Sequence, residues 1–249
     1  TISTAALTAP ATSPPVPLKN DVSFATFCPS PQAQIHARHR NRLSDLSKRD
    51  MSGQKPIHTT VRGTPMSTTK SVCVYCGSRN GAQPVYGEVA TDTGAMLARN
   101  SWRLVYGAGD VGLMGRVATA TQAAGGKTFG VIPVHLLKWE VGKRDLDQFI
   151  ITENMHERKK VMYMNADAVV VLPGGAGSLD EFFEVLTWRQ LGLHAKPIIL
   201  VNAGGYWDPL LAMLDRMIDQ GFAEATLLGF VSTVADVAEL EAVLRDALV

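Results

Sequence analysis

The chain has 249 residues, 46% of them hydrophobic and 19% charged, which is enough for one substantial α/β core. Its net charge of +1 gives no reason to expect a nucleic acid or an anionic membrane as partner, and no apolar run approaches the roughly 18 residues of a membrane span. Three cysteines do not make a disulfide framework, which points to a reducing, cytoplasmic setting.

Charge is unevenly spread. Residues 1–70 hold nine Lys/Arg and three Asp/Glu, a balance of +6, and the remainder carries −5. Pro, Ser, Thr, Ala, Arg and His dominate this first part, without a sustained helical or strand period. Such a segment buries too little apolar surface to offset its ordering entropy, so 1–70 is expected to be a disordered N-terminal extension. Its basic, acid-poor composition weakly suits a transit peptide, although the apolar–basic alternation of one is hard to find. The chain opens at Thr1, and Met66 leads directly into the first strand, so a physiological start at Met66 or Met51 is also expected.

Over 71–249, short apolar runs alternate with helical patterns. Strands are predicted at 71–76, 103–106, 127–132, 167–172 and 197–202, and helices near 84–100, 112–125, 154–165, 178–193, 206–221 and 234–248. Apolar runs without polar alternation are buried on both faces, and strands separated by helices give an α/β fold with a doubly wound parallel sheet, helices on both faces. Ligands of such sheets sit beyond the carboxyl ends of the strands. The glycine-rich segments 77–81, 107–115 and 173–178 all follow strand ends.

The first strand carries Cys73 and Cys76, a C-x-x-C. Redox use would need that pair at a helix N-terminus, and here it ends a strand, so buried strand thiols are the expectation. The next glycine-rich segment, Gly107-Ala-Gly-Asp-Val-Gly112, is a literal G-x-G-x-x-G. A dinucleotide site would want an acid about 20 residues on, and residues 125–132 hold none. A second phosphate- or ribose-facing loop, including Gly109, fits better.

In Met155-His-Glu-Arg-Lys-Lys-Val-Met162, residues Met155, Arg158 and Met162 share one helical face, which turns Arg158 toward the apolar side. A buried guanidinium needs an anion, which a phosphate or Glu181 could supply; the alternative is an arginine that lays its stem on the core and reaches water. Lys159 and Lys160 read as solvated, with Lys159 bordering the inward face. The run Ala168-Val-Val-Val-Leu172 then enters Pro173-Gly-Gly-Ala-Gly-Ser-Leu-Asp-Glu181. A glycine-rich turn between strand and helix aims free amides and the helix dipole at an anion. Glu181 is read in the first helical turn, beside that site and kept ionised by it.

Met155-His-Glu-Arg-Lys159 followed by Pro173 to Glu181 closely resembles the LOG family, cytokinin riboside 5′-monophosphate phosphoribohydrolases often labelled lysine decarboxylases. Cys76-Gly-Ser-Arg79, Val105 to Gly115 and Thr187-Trp-Arg-Gln-Leu-Gly192 are similar to family segments, so the resemblance covers about 71–249. Ser178 stands where the family usually has Thr, Asp180 for Glu, Ala108 for Gly and Asp110 for Ser. The Asp110 carboxylate could repel phosphate or bind a ribose hydroxyl. The resemblance implies a Rossmann-like fold, a homodimer, and hydrolysis of the N-glycosidic bond of a nucleoside 5′-monophosphate to free base and ribose 5-phosphate. It matches Arg158 and Glu181 as the functional pair.

Breaking a glycosidic bond builds positive charge on the sugar, which an ionised carboxylate near the anomeric carbon stabilises. Glu181 suits that role and can take a proton from water. Arg158 stays protonated and is read as orienting Glu181 or the phosphate. Gly174, Gly175, Gly177 and Ser178 are expected to hold the phosphate, with Met155 and Lys159 beside them. Ser78 and Arg79 are expected on the base or ribose side, and Glu184 is the spare acid. No metal and no cofactor are expected; His135, His156 and His194 lack ligand spacing. Trp188 and Leu191 read as core or subunit interface. The competing readings are a general AMP or purine nucleotide nucleosidase, a nucleotide or molybdenum-cofactor carrier, and a decarboxylase whose Schiff-base lysine Lys159, Lys160 and Lys196 do not convincingly supply.

Overall fold

A computed structural model of the chain describes residues 69–138 and 142–249. The expected extension and alternative starts lie outside the described residues, apart from residues 69 and 70. Among them, β1 (Ser71–Tyr75), β2 (Arg103–Tyr106), β3 (Thr128–Pro133), β4 (Gln148–Thr152), β5 (Ala168–Val171), β6 (Ile198–Val201) and β7 (Val231–Val234) form one sheet. Their order is β4-β3-β2-β1-β5-β6-β7, and every adjacent pair is parallel. The helices are α1 (Pro84–Arg99), α2 (Gly112–Ala123), α3 (Met155–Met164), α4 (Ala176–Gln190), α5 (Asp208–Asp219) and α6 (Val237–Ala247).

Strand alternation divides the core into two layers. All of β1 is buried, with Val72 and Val74 entering one apolar cluster and Cys73 and Tyr75 the other. The first cluster is covered by Leu97 of α1, Val117 of α2 and Leu244 of α6. The second is covered by Met162 of α3, Phe182 of α4 and Leu214 of α5. Helices therefore lie on both faces of a parallel sheet, the Rossmann-like, doubly wound arrangement that the sequence implies.

The five expected strands are all present. β4 and β7 were not anticipated, and both are sheet edges. β7 reads Val-Ser-Thr-Val, and only Val234 of it is buried; β4 is likewise buried only at Thr152. An edge strand needs no continuous apolar run, so its pattern is weak in sequence. The last helix consequently begins later than expected, at Val237, where the Asp236 carboxylate accepts from the Ala238 and Glu239 amides at 2.9 Å.

The chain steps outward from β1 to β4, and α3 returns it to β5, which pairs with β1 from Val72↔Ala168 to Tyr75↔Val171. The sheet order reverses there, and a crevice opens beyond the carboxyl ends of β1 and β5.

Candidate active site

Gly77, just past β1, ties the loops together. Its amide donates to the Pro173 carbonyl at 3.0 Å, and its carbonyl accepts from the Leu113 and Met114 amides at 3.1 and 3.3 Å. The amides at the start of α2 are thus used by the protein itself. Of the phosphate- or ribose-facing reading of 107–115, the phosphate half loses these two amides, while Leu113 and Met114 still line the cleft. The glycines of this loop serve packing: a Cβ on Gly107 would overlap the Arg158 guanidinium, and Gly112, at φ +63°, lies against the Ser78–Arg79 backbone. The G-x-G-x-x-G pattern arises from these close approaches. Gly109 bridges to Gly142 and packs on Met114, off the cleft wall. Asp110 faces Lys143 at 3.6 Å instead of the cleft.

The start of α4 is different. Gly175 has no capping side chain, and the first helical bond runs from the Leu179 amide to the Gly175 carbonyl at 3.1 Å. The amides of Ala176, Gly177 and Ser178 have no protein partner among the described residues. Uncapped first-turn amides at the positive end of a helix form an anion site. The Ser178 hydroxyl is buried beside them, so close to Gly174 that a Cβ there would overlap it.

Helix α3 is fixed by reciprocal bonds: the Glu157 amide donates to Asn154 Oδ1 and the Glu153 amide to Glu157 Oε2, both at 2.9 Å. This start turns Arg158 inward, where it is 6% exposed. Its Nε donates to the Val131 carbonyl at 3.1 Å and its Nη2 to the Gly107 carbonyl at 2.8 Å, while Nη1 lies 3.8 Å from Met155 Sδ. Two strand-end carbonyls orient the guanidinium without neutralising it. Of the two anions that could pair with it, Glu181 makes no direct ion pair among the described residues.

Glu181 is the sixth residue of α4, and the first turn of that helix holds no acid. The expectation that the helix start keeps it ionised is therefore corrected. Burial pushes its carboxyl from 4.5 up to about 7; Arg158 and Lys159 oppose the rise, and Asp180 and Glu184 add to it. Lys159 is neither solvated nor on the cleft wall: its Nζ lies 3.0 Å from Asp180 Oδ2 and 3.1 Å from Glu184 Oε1.

The resulting cleft has a volume of about 630 Å³. Ser78, Arg79, Met155, Arg158, Gly174, Gly175, Gly177, Ser178 and Glu181 line it, so of the expected site residues only Gly109 and Lys159 fall outside. Tyr86 and Tyr206 form a wall that sequence reasoning missed, their rings edge to face with centroids 5.3 Å apart. The Tyr206 hydroxyl donates to the Gly174 carbonyl at 2.5 Å. The available signal was Gly204-Gly205-Tyr206, one more glycine turn beyond a strand end. Tyr206→Phe should free that carbonyl and loosen the glycine loop, raising KM for a phosphorylated ligand by about 3- to 10-fold, the equivalent of one neutral hydrogen bond. A KM equal to wild type would remove Tyr206 from support of the loop.

Cys73 and Cys76 lie on opposite faces of the strand end and enter different core clusters, so they are not a redox pair. Burial pushes both thiols up. No cluster of three metal-ligating side chains occurs among the described residues.

Sheet order and switch-point crevice define a Rossmann-like α/β protein with an open cleft beyond the carboxyl ends of its strands. The chain belongs to the LOG family, whose model, described as "Possible lysine decarboxylase", matches residues 114–244. A probable cytokinin riboside 5′-monophosphate phosphoribohydrolase of Oryza sativa subsp. japonica is 39% identical over 176 residues, 71% of this chain and 76% of its own. A cytokinin riboside 5′-monophosphate phosphoribohydrolase of Arabidopsis thaliana is 43% identical over 156 residues, 63% of this chain and 68% of its own. Among solved structures, the molybdenum cofactor binding protein of Rippkaea orientalis superimposes with a TM-score of 0.58 at 19% identity, over 74% of this chain and 99% of that one. The Moco carrier protein of Chlamydomonas reinhardtii gives 0.57 at 21%, over 73% and 98%. These two likenesses show the fold alone.

A decarboxylase using pyridoxal phosphate needs a lysine in the cleft. Among the described residues no lysine lines it; Lys159 is held by two carboxylates, and Lys196 Nζ donates to the Tyr163 carbonyl at 2.7 Å. The residues present do not fit that cofactor.

Proposed function

We propose that this chain hydrolyses the N-glycosidic bond of cytokinin riboside 5′-monophosphates, N6-substituted forms of AMP, releasing the free base and ribose 5-phosphate. The observation that carries the reading is that Arg158, Glu181 and the uncapped start of α4 open onto one cleft. The names of the relatives support the substrate class.

In this reading the amides of Ala176 to Ser178 and the Ser178 hydroxyl receive the 5′-phosphate. Ser78 and Arg79 flank the ribose, and the Tyr86–Tyr206 wall faces the base. As the bond lengthens, the base departs with the bonding electron pair while the Glu181 carboxylate stabilises positive charge at the anomeric carbon. Glu181 takes a proton from the attacking water, whose oxygen bonds that carbon, and the proton passes on to the departing base. Arg158, held by the Gly107 and Val131 carbonyls, presents a fixed charge that favours ionised Glu181.

Chromatographic base release from N6-isopentenyladenosine monophosphate and from AMP, run in parallel, tests the proposal. Faster release from the prenylated nucleotide is expected. Release from AMP alone would replace the reading with a general purine nucleotide nucleosidase, and release from neither would end the hydrolase reading.

The active form in this reading is a homodimer. Met164, Leu191 and Leu193, 65%, 67% and 68% exposed, support it as apolar groups left uncovered by the single chain. Light scattering should give twice the mass of one chain; a monomer at working concentration would reject the dimer. The reading also assigns a cytoplasmic location, supported by the unpaired Cys73 and Cys76, and a small nucleotide rather than a nucleic acid as ligand, supported by the acid excess over 71–249. Cell fractionation and a filter-binding assay with DNA and RNA would contradict these two points by finding the protein in an oxidising compartment or on a nucleic acid.

A further inference from the structure

Helix α4 carries three acids in five residues: Asp180, Glu181 and Glu184. Asp180 and Glu184 are one turn apart on the same face, where like charges repel. Both carboxylates converge on one ammonium, Lys159 Nζ, at 3.0 and 3.1 Å, and that side chain is only 6% exposed. Lys159 follows Arg158 on α3 and is buried with it. The paired carboxylates flank the position of Glu181 on the helix.

We propose that Lys159 is a positioning residue for Glu181: it ties α3 to α4 and offsets part of the charge of the two acids beside Glu181, which keeps that carboxylate ionised for the reaction. The kinetic part rests on the hydrolase reading above; the electrostatic part does not.

The groups that face Glu181 are few. Helix α3 supplies Arg158 and Lys159, whose charges favour the carboxylate, and α4 supplies Asp180 and Glu184, which oppose it. Strand β1 supplies Cys73 and Tyr75, with Cys76 the residue after it, and burial keeps all three protonated through the neutral range. Without Lys159, two uncompensated acids would act on Glu181 and one cation would remain. Arg158 cannot take over, because the Val131 and Gly107 carbonyls fix its fork.

The test is an infrared pH titration of the Glu181 carboxyl on the full chain, isolated by subtracting the Glu181→Gln spectrum. It is run for wild type, Lys159→Met, Lys159→Arg and Glu184→Gln, beside the pH profile of kcat/KM for base release. Lys159→Met should move the carboxyl midpoint and the acid limb of the profile up together by about one pH unit, which is about tenfold in rate below the midpoint. Lys159→Arg should restore both, and Glu184→Gln should move both down. A folded Lys159→Met chain with an unmoved midpoint would overturn the proposal, even if kcat fell uniformly, because that is what a scaffold alone would do. If Lys159→Met does not fold, Glu184→Gln decides: a lowered midpoint supports the proposal and an unchanged one overturns it. Shifted midpoints in a protein that releases no base would reject the hydrolase reading and leave the electrostatic role standing.

Discussion

Glu181→Gln should lower base release by about 10²–10⁴-fold, the range for losing a positioned base, and should make the fold more stable at alkaline pH. The two effects have one cause. Burial lifts the folded-state carboxyl to about 7 from 4.5. As pH rises through 4.5 the unfolded chain releases this proton while the folded chain keeps it. The stability contributed by the group is therefore full below 4.5, is lost between 4.5 and 7, and stays lost above. The loss is about 1–3 kcal/mol, given the opening of the side chain to the cleft. Glutamine carries no such dependence. Urea melts at pH 5 and pH 8 should show the variant gaining stability mainly at pH 8. Wild-type kcat/KM should rise through pH 7 as Glu181 ionises. A variant that keeps its activity would show that Glu181 is not the base, and one that gains equally at both pH values would show that burial does not hold its proton.

What the sequence discloses follows from the range of the interactions. Fully buried runs such as Ala168–Val171 disclose themselves as strands because both faces are apolar. β7, with two exposed polar residues at its centre, does not. Helical periodicity turns Arg158 inward, since that depends on its own helix. Its partners, the carbonyls of Gly107 and Val131, are backbone groups 51 and 27 residues away that no side-chain pattern announces. Lys159 looks solvated in the sequence for the same reason: Asp180 and Glu184 reach it from another helix. The sequence puts Glu181 one turn too early because Gly174, Gly175 and Gly177 blur where α4 begins. The three loops were placed at strand ends correctly, but which of them presents free amides depended on Gly77, whose carbonyl occupies the start of α2.

Arg158→Ala should be the most damaging substitution on the cleft for fold and activity together. It leaves the Val131 and Gly107 carbonyls without their donors and opens a void under the β2–β3 end of the cleft. Each unsatisfied buried acceptor costs about 1–3 kcal/mol, so a stability loss of about 2–5 kcal/mol is expected, toward the lower end if cleft water reaches them. Base release should fall by about 10²–10³-fold, as for loss of one preorganised donor. The acid limb should also move up, since Arg158 is the largest influence holding the Glu181 carboxyl down. Arg158→Lys separates charge from shape. It keeps the cation, but a single ammonium cannot reproduce the fork that bonds both strand ends. It should therefore recover the acid limb while leaving most of the loss in kcat. Full recovery of kcat in the lysine variant would mean that Arg158 acts only as a charge, and that the carbonyl clamp serves stability rather than catalysis.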